Sequence, residues 1–215
     1  MRSWVSCDCT EHHRPKRIVL TGGPGAGKTA VLELIGHFFC HHVKVLPESA
    51  GIVFGGGFPR DKRPELLRAA QRAIFYVQRE LEAVASVDEP AIILCDRGTV
   101  DGMAYWPGPG DFWEDVGTTH ATELLRYDKV IHLRTPKVDG EYNLDNPLRV
   151  ETAAEALAAD ERILAAWAPH PHRVVIEPTH DFLWKVSRAI DVLRSELPAC
   201  CEHHAVSLPP PASIL

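Results

Sequence analysis

The stretch "RIVLTGGPGAGKTAVLELI", residues 17–35, constrains this chain more than any other. A short apolar run ends at Gly22. From there Gly22, Gly27, Lys28 and Thr29 keep the spacing G-x-x-x-x-G-K-[ST], and residues with helical periodicity follow. Glycines reach backbone angles closed to other residues, so several N–H groups can converge on one anion. The helix that follows adds its positive end. A strand, a loop of this spacing and a helix together make a phosphate-binding loop. Gly23, Pro24, Gly25, Ala26, Gly27, Lys28, Thr29 and Ala30 are therefore expected to wrap a nucleoside triphosphate. Lys28 is placed to reach the β- and γ-phosphates, and the Thr29 hydroxyl to sit on Mg²⁺.

Four more strand-like runs follow "KRIVLT" (16–21): "VKVLPE" (43–48), "AIILCD" (91–96), "KVIHLR" (129–134) and "RVVIEP" (173–178). Each is a near-continuous run of Val, Ile and Leu, the pattern of strands buried on both faces of a parallel sheet. Between them lie helical segments. Residues 28–41 carry Val31, Ile35 and Phe38 at helical spacing. Residues 64–87 carry the stripe Leu66, Ala70, Ile74, Val77, Leu81 and Val84, with Pro64 suited to the first turn. Residues 150–167 are rich in alanine and leucine. Residues 181–197 open on Asp181 as a cap and place Leu183, Val186, Ile190 and Leu193 on one face. Strands alternating with helices predict an α/β fold, a five-stranded parallel doubly wound sheet of the phosphate-loop nucleotide-kinase type.

The expected organisation is a flexible segment over 1–15, one domain over 16–197 and a flexible Pro-rich tail over 198–215. A net charge of −6 argues against nucleic acid as a main partner. No apolar stretch approaches the roughly 20 residues that span a bilayer. The N-terminus lacks the apolar core of a signal peptide, so the chain is expected to be cytoplasmic and its six cysteines free thiols. "CDCTEHH" near the start and "CCEHH" near the end offer metal-ligand types (Cys7, Cys9, His12, His13, Cys200, Cys201, His203, His204). Their spacing is not that of a standard zinc module, and solvated termini are the simpler expectation.

A phosphate loop serves GTPases, remodelling ATPases and small-molecule kinases alike. No N-K-x-D follows a late strand, as guanine selection by a GTPase would need. At 215 residues there is little room for the separate lid domain of a remodelling ATPase. The remaining candidate residues lie where strand C-termini converge, the crevice in which open α/β sheets bind ligands. Asp96 ends the third strand and is a second candidate for holding Mg²⁺ beside Thr29. Arg97 follows it, placed for a substrate oxygen. Glu48, after the second strand, is the candidate base for an attacking hydroxyl. Asp101 and Tyr105 are candidate contacts to a substrate ring or sugar, and "PGPGDFW" (107–113) offers Trp113 as a pocket wall. Arg149, at the start of a helix between strands four and five, is the candidate lid arginine that neutralises transition-state charge, ahead of Arg134 and Arg162. The glycine-rich "GIVFGGGFPR" (51–60) sits where a small kinase binds its acceptor.

Taken together, "RIVLTGGPGAGKT", "VLPESA", "GGGFP", "IFYVQRELE", "DRGTVDGMAYW" and "YDKVIHLRTP…NPLRVE" resemble the small AAA-labelled P-loop ATPase family. That family includes nicotinamide riboside kinase-like domains and the nucleotide-binding domain of TRPL translocation defect proteins. The resemblance spans roughly residues 16–195. More distantly, Glu48 and the Asp96–Arg97 pair are similar to the E and [DE]-R pattern of deoxynucleoside kinases. That likeness implies Glu48 as the base, with Arg97 supporting it and positioning substrate. The chain does not reproduce the full nucleoside-kinase substrate pocket, and translocation-defect relatives are linked to GTP.

Two functions follow as expectations. The leading one is an ATP- and Mg²⁺-dependent phosphotransferase, with GTP as an alternative donor, acting on a hydroxyl of a small nucleoside-like metabolite. The other is a nucleotide-dependent ATPase or GTPase switch whose output is a protein partner.

Overall fold

The computed structural model describes residues 7, 9–136, 152–179 and 182–204, with 202–204 described by backbone alone. Five strands, β1 (Lys16–Thr21), β2 (Val43–Leu46), β3 (Ile92–Asp96), β4 (Lys129–Leu133) and β5 (Arg173–Ile176), form one sheet. Their order is β2-β3-β1-β4-β5, and every pairing is parallel. Three strands stop one or two residues before their apolar runs do, because Pro47, Arg134 and Glu177 already belong to the loops at the strands' C-terminal ends.

The helices are α1 (Lys28–Phe38), α2 (Ser49–Gly55), α3 (Pro64–Ser86), α4 (Asp101–Tyr105), α5 (Phe112–Asp115), α6 (His120–Leu124), α7 (Ala153–Ala166) and α8 (Phe182–Arg194). Alternation along the strands sends side chains to two cores. Ile18, Leu20, Ile92, Leu94, Ile131 and Leu133 pack against Val31 and Ile35 of α1 and Val186 and Ile190 of α8. Val19, Ile93, Cys95 and Val130 face the opposite core, built on Phe75 of α3, Ile163 of α7 and Trp167. Helices on both faces explain why the central strands are apolar throughout.

The buried stripe of α3 is rotated from the expected one. It comprises Ala70, Gln71, Phe75, Gln78, Glu82 and Ala85, while Val84 is 65% exposed. The reason is polar. Glu82, fully buried, accepts from the Tyr127 hydroxyl (2.8 Å) and from Gln78 Nε2 (2.9 Å) and pairs with Arg126. A buried carboxylate must be neutralised and hydrogen-bonded, so this network fixes the helix rotation where apolar residues alone would not.

In α8, Val186, Ile190 and Leu193 are buried as expected, but Leu183 is exposed; Asp181, the expected cap, lies outside the described residues. Beyond "PGPGDFW", two short helices not placed from the sequence, α5 (Phe112–Asp115) and α6 (His120–Leu124), precede β4. Trp113 is not a pocket wall: it is buried beside Phe112 and stacks on His120, with ring centroids 5.2 Å apart.

The packed body also outruns its expected boundaries. The His13 N–H donates to Glu89 O (3.1 Å), tying down the N-terminal segment. Beyond α8, residues Ala199–His204 form a 3₁₀ helix that inserts Cys201 into the same core as α1 and α8. The expected tail is therefore structured over its first residues. Among the described residues, no helix is long and apolar enough to cross a membrane.

Candidate active site

The sheet order places a topological switch beside β1, whose own connection runs to β2 while β3 connects across it to β4. Ligand crevices of open α/β sheets form at such points. Register sets Leu20 opposite Asp96, and Leu46 opposite Cys95, so the loops after β1, β2 and β3 leave the sheet side by side.

The loop after β1 depends on glycine where the backbone is tightest. Gly22 has φ +134, and a Cβ there would lie 2.0 Å from Leu133 O. Gly22→Ala is expected to destabilise the protein by about 1–3 kcal/mol, and more if β4 must move, read as a lower urea midpoint. Gly27, at φ +91, turns the chain so that α1 begins at Lys28. The buried Lys28 folds back over its own loop, donating from Nζ to Gly22 O (2.8 Å) and Gly23 O (3.0 Å). Burial lowers its pKa to about 8; the charge of Arg97 adds to this, and Asp96 and Glu48 partly restore it. Thr29 follows with an exposed side chain on the crevice.

The loop is held from behind by residues the sequence did not flag. Asp160 of α7, fully buried, accepts from the Gly23 N–H (2.8 Å), from His132 Nε2 (2.9 Å) and from the Thr135 N–H (3.3 Å), and pairs with Arg134 Nε (3.2 Å). Lys185 Nζ donates to Ala26 O (3.0 Å) and Arg134 O (2.8 Å), clamping the far side. Arg134, a runner-up for the lid, is thus committed to Asp160 and Glu161. Arg162, the other runner-up, donates from Nε to Ala104 O (2.8 Å). Both side chains are engaged within the domain. Arg149, the leading candidate, lies outside the described residues.

Across the crevice, Glu48 holds the position just before α2, its carboxylate making no bond to the helix end, and Arg97 leaves β3. Arg97 Nε donates to Glu48 Oε1 at 2.7 Å, and its second arm reaches Asp101 Oδ1 at 3.2 Å. The guanidinium lies 5.5 Å from the centre of the Tyr105 ring. Arg97 holds a left-handed backbone (φ 67) unusual for a side-chain-bearing residue, while its N–H still donates to Leu20 O (3.1 Å). Strained, over-determined positions of this kind cluster at functional sites. Burial opposes ionisation of Glu48, but the charges of Arg97 and Lys28 outweigh it and hold the carboxyl below its ordinary range.

Asp101 lines the crevice with its carboxylate turned toward protein partners. Its carboxylate accepts from the Thr21 hydroxyl, the Gly98 N–H (3.0 Å) and Trp167 Nε1 (3.1 Å) besides Arg97, and it is buried. Its contact with Arg97 helps fix the guanidinium beside Glu48. The glycine-rich segment opens as helix, α2 over Ser49–Gly55, then turns at Gly57 (φ +96), and its Gly51, Phe54 and Arg60 line the same crevice.

Asp96 sits between Lys28 and Glu48. Burial raises its pKa to about 6, Lys28 lowering and Glu48 raising it further. Its Oδ1 is buried without a hydrogen-bond partner. A buried, unmatched carboxylate oxygen facing a loop that ends in an exposed threonine hydroxyl suits a hard, oxygen-seeking cation, and Mg²⁺ fits this donor set.

A cavity of about 450 Å³ collects the parts: Lys28 and Thr29 on one wall, Glu48, Arg97 and Tyr105 on another, Phe54 and Arg60 from the α2 side. The guanidinium of Arg60 lies over the Phe54 ring at 4.4 Å. Both fall in the glycine-rich segment 51–60, where the sequence places the acceptor, although neither was singled out there; Gln71 and Gln78 of α3 read as ordinary helix positions and were missed.

A five-stranded parallel sheet with helices on both faces and a phosphate loop after β1 defines a P-loop domain of the nucleotide-kinase fold. The model of an AAA domain family matches residues 17–183, and the chain belongs to that family. Among solved structures, thymidylate kinase from Ehrlichia chaffeensis is similar at a TM-score of 0.52 and 17% identity, covering 84% of this chain and 98% of its own. At that identity the likeness concerns the fold. No curated protein matches the sequence.

Proposed function

We propose that the protein is an ATP- and Mg²⁺-dependent phosphotransferase that moves a γ-phosphoryl group to a hydroxyl of a small, nucleoside-like acceptor. The observation that carries this reading is the Glu48–Arg97 pair, 2.7 Å apart, facing the same cavity as Lys28 and Thr29. A loop that only held or sensed a triphosphate would have no need of a carboxylate fixed across from it.

In this reading the backbone of residues 23–30 cradles the phosphates, with Lys28 drawn from its loop carbonyls onto the β- and γ-oxygens. Thr29 and Asp96 would hold Mg²⁺, which neutralises charge on those oxygens. Arg97 holds Glu48 Oε1, leaving Oε2 to receive the acceptor's proton as the hydroxyl oxygen bonds to phosphorus and the bond to the β-phosphate bridge breaks. A carboxylate held ionised is a weak base, which suffices because phosphoryl transfer has a loose transition state needing little early deprotonation. Tyr105 and Phe54 supply apolar surface for a ring, and Arg60 a cation at the acceptor end of the cavity.

The test is transfer of labelled γ-phosphate from ATP, and separately from GTP, to a panel of nucleosides and hydroxylated metabolites. Acceptor-dependent product is expected. Slow release of free phosphate alone, across a broad panel, would instead favour a nucleotide switch. Lys28→Ala is expected to lower kcat about 10²–10³-fold, the range for one lost charge-stabilising donor. Unchanged turnover and triphosphate affinity would remove the loop from the chemistry.

A further inference from the structure

Away from the crevice, at the edge of the sheet beyond β2, three parts of the chain far apart in sequence bring thiols and imidazoles together. His42, buried at the start of β2, has three sulfurs around one ring nitrogen: Cys7 Sγ at 3.7 Å, Cys40 Sγ at 3.7 Å and Cys201 Sγ at 3.4 Å from Nδ1. Beside them, Cys200 Sγ lies 3.5 Å from His13 Nε2 and 3.7 Å from Cys201 Sγ. The ligand atoms of Cys7, Cys40 and His42 fall within 4.8 Å of one another, as do those of Cys9, His13 and Cys200, and those of His13, His42 and Cys201. The rings of His13 and His42 meet edge to face at 5.0 Å.

Packing of ordinary thiols does not account for this. A ring nitrogen has one lone pair and can accept one good hydrogen bond, yet three sulfurs converge on Nδ1. Disulfides do not account for it either: none of the six cysteines is in a disulfide, and the 3.7 Å between Cys200 and Cys201 is far outside the ~2.05 Å of a bond. The distances of the three sulfurs from His42 Nδ1 are those of ligands around a common cation, with Cys7, Cys40 and His42 already grouped and Cys201 reaching the same ring from the side of His13. Metal–sulfur bonds of about 2.3 Å and metal–nitrogen bonds of about 2.0–2.1 Å in a tetrahedron set nitrogen and sulfur about 3.5 Å apart, and two sulfurs about 3.8 Å apart.

We propose that the protein holds a structural zinc ion ligated by Cys7, Cys40, His42 and Cys201, with Cys9, His13 and Cys200 forming an adjoining set of donors that can take a second ion. Three thiolates and one imidazole make a closed set of the kind that structural zinc sites use. Soft sulfur donors select zinc over the hard cation that suits Asp96 and Thr29. The site joins the N-terminal segment, the entry to β2 and the 3₁₀ helix after α8, which explains why those termini pack onto the domain. It also forms part of the wall of a cavity of about 970 Å³, lined by Cys9, Cys40 and His42, that reaches Thr29 and Asp96.

The test begins with the full chain, purified in reductant without a polyhistidine tag, and measures zinc by elemental analysis. One or two zinc ions per chain are expected. Replacement by Co²⁺ should give the visible bands of tetrahedral cobalt with thiolate charge transfer. Cys7→Ser and Cys201→Ser should each weaken zinc at least ~10-fold, while His12→Ala, whose exposed ring pairs with Glu89, should leave it unchanged. Because Cys7 precedes the first strand, its variant keeps the domain intact if Cys201→Ser fails to fold. Wild-type protein with less than about a tenth of an equivalent of zinc and no tetrahedral cobalt spectrum would overturn the proposal. So would zinc bound equally by Cys7→Ser, or a Cys200–Cys201 disulfide found by non-reducing peptide mapping.

Discussion

Glu48→Gln is expected to lower kcat for transfer to the acceptor by about 10²–10⁴-fold, the range for loss of a positioned proton acceptor, with triphosphate affinity unchanged. Glutamine keeps the size of the side chain and leaves an oxygen to accept from Arg97 Nε, now 2.7 Å from Glu48 Oε1. Arg97 also keeps its second arm on Asp101, so the guanidinium stays in place. What the substitution removes is the negative charge and the ability to take a proton. The measured split between kcat and triphosphate binding separates this from a structural role, which would move both. Transfer at the wild-type rate by Glu48→Gln would reduce Glu48 to a salt-bridge partner of Arg97.

The parts of the molecule legible in sequence were those built from short-range rules. Strand runs, the glycine spacing and the order of elements follow from periodicity and backbone freedom, which local residues decide. Glu48, Asp96 and Arg97 were legible because each stands at or just beyond the C-terminal end of a strand, where the fold itself delivers side chains to the crevice. What was not legible is tertiary and polar. Glu82 and Gln78 on α3 break the apolar stripe that periodicity relies on, yet they are the buried ones. Asp101 looked like any loop carboxylate next to a candidate site, and only its four partners show that it faces inward. The cysteines at 7, 40 and 201 carry no spacing signal because a parallel sheet, not a local hairpin, brings them to His42. The ligand types at the two termini were visible in sequence, but Cys40, His42 and the convergence of all four are visible only in the fold.

Asp160 belongs to that hidden class, and its removal is expected to have the largest effect on stability. Asp160→Ala should cost about 3–5 kcal/mol at pH 7, the range for breaking a buried charge pair by deleting one partner. In a domain of this length that corresponds to a fall in Tm of roughly 6–20 °C. The deletion strands His132, buried at 0% exposure, together with Arg134 Nε and the N–H groups of Gly23 and Thr135. The cost has a pH signature. Burial opposes ionisation of Asp160, but hydrogen bonds from His132 and Gly23 and the charges of His132 and Arg134 hold its pKa below the ordinary 3.8. A carboxylate depressed on folding contributes stability that is fully present above its unfolded pKa and lost as pH falls through the folded one. The gap between wild type and variant should therefore be full at neutral pH and close below about pH 4. Since the Gly23 N–H belongs to the phosphate loop, triphosphate binding should weaken as well, even where the variant is fully folded. Urea unfolding of both proteins across pH, with nucleotide titrations at low denaturant, decides the matter. Equal midpoints at pH 7 would mean that the His132–Asp160–Arg134 cluster carries no net stabilisation, as some buried ion pairs do not.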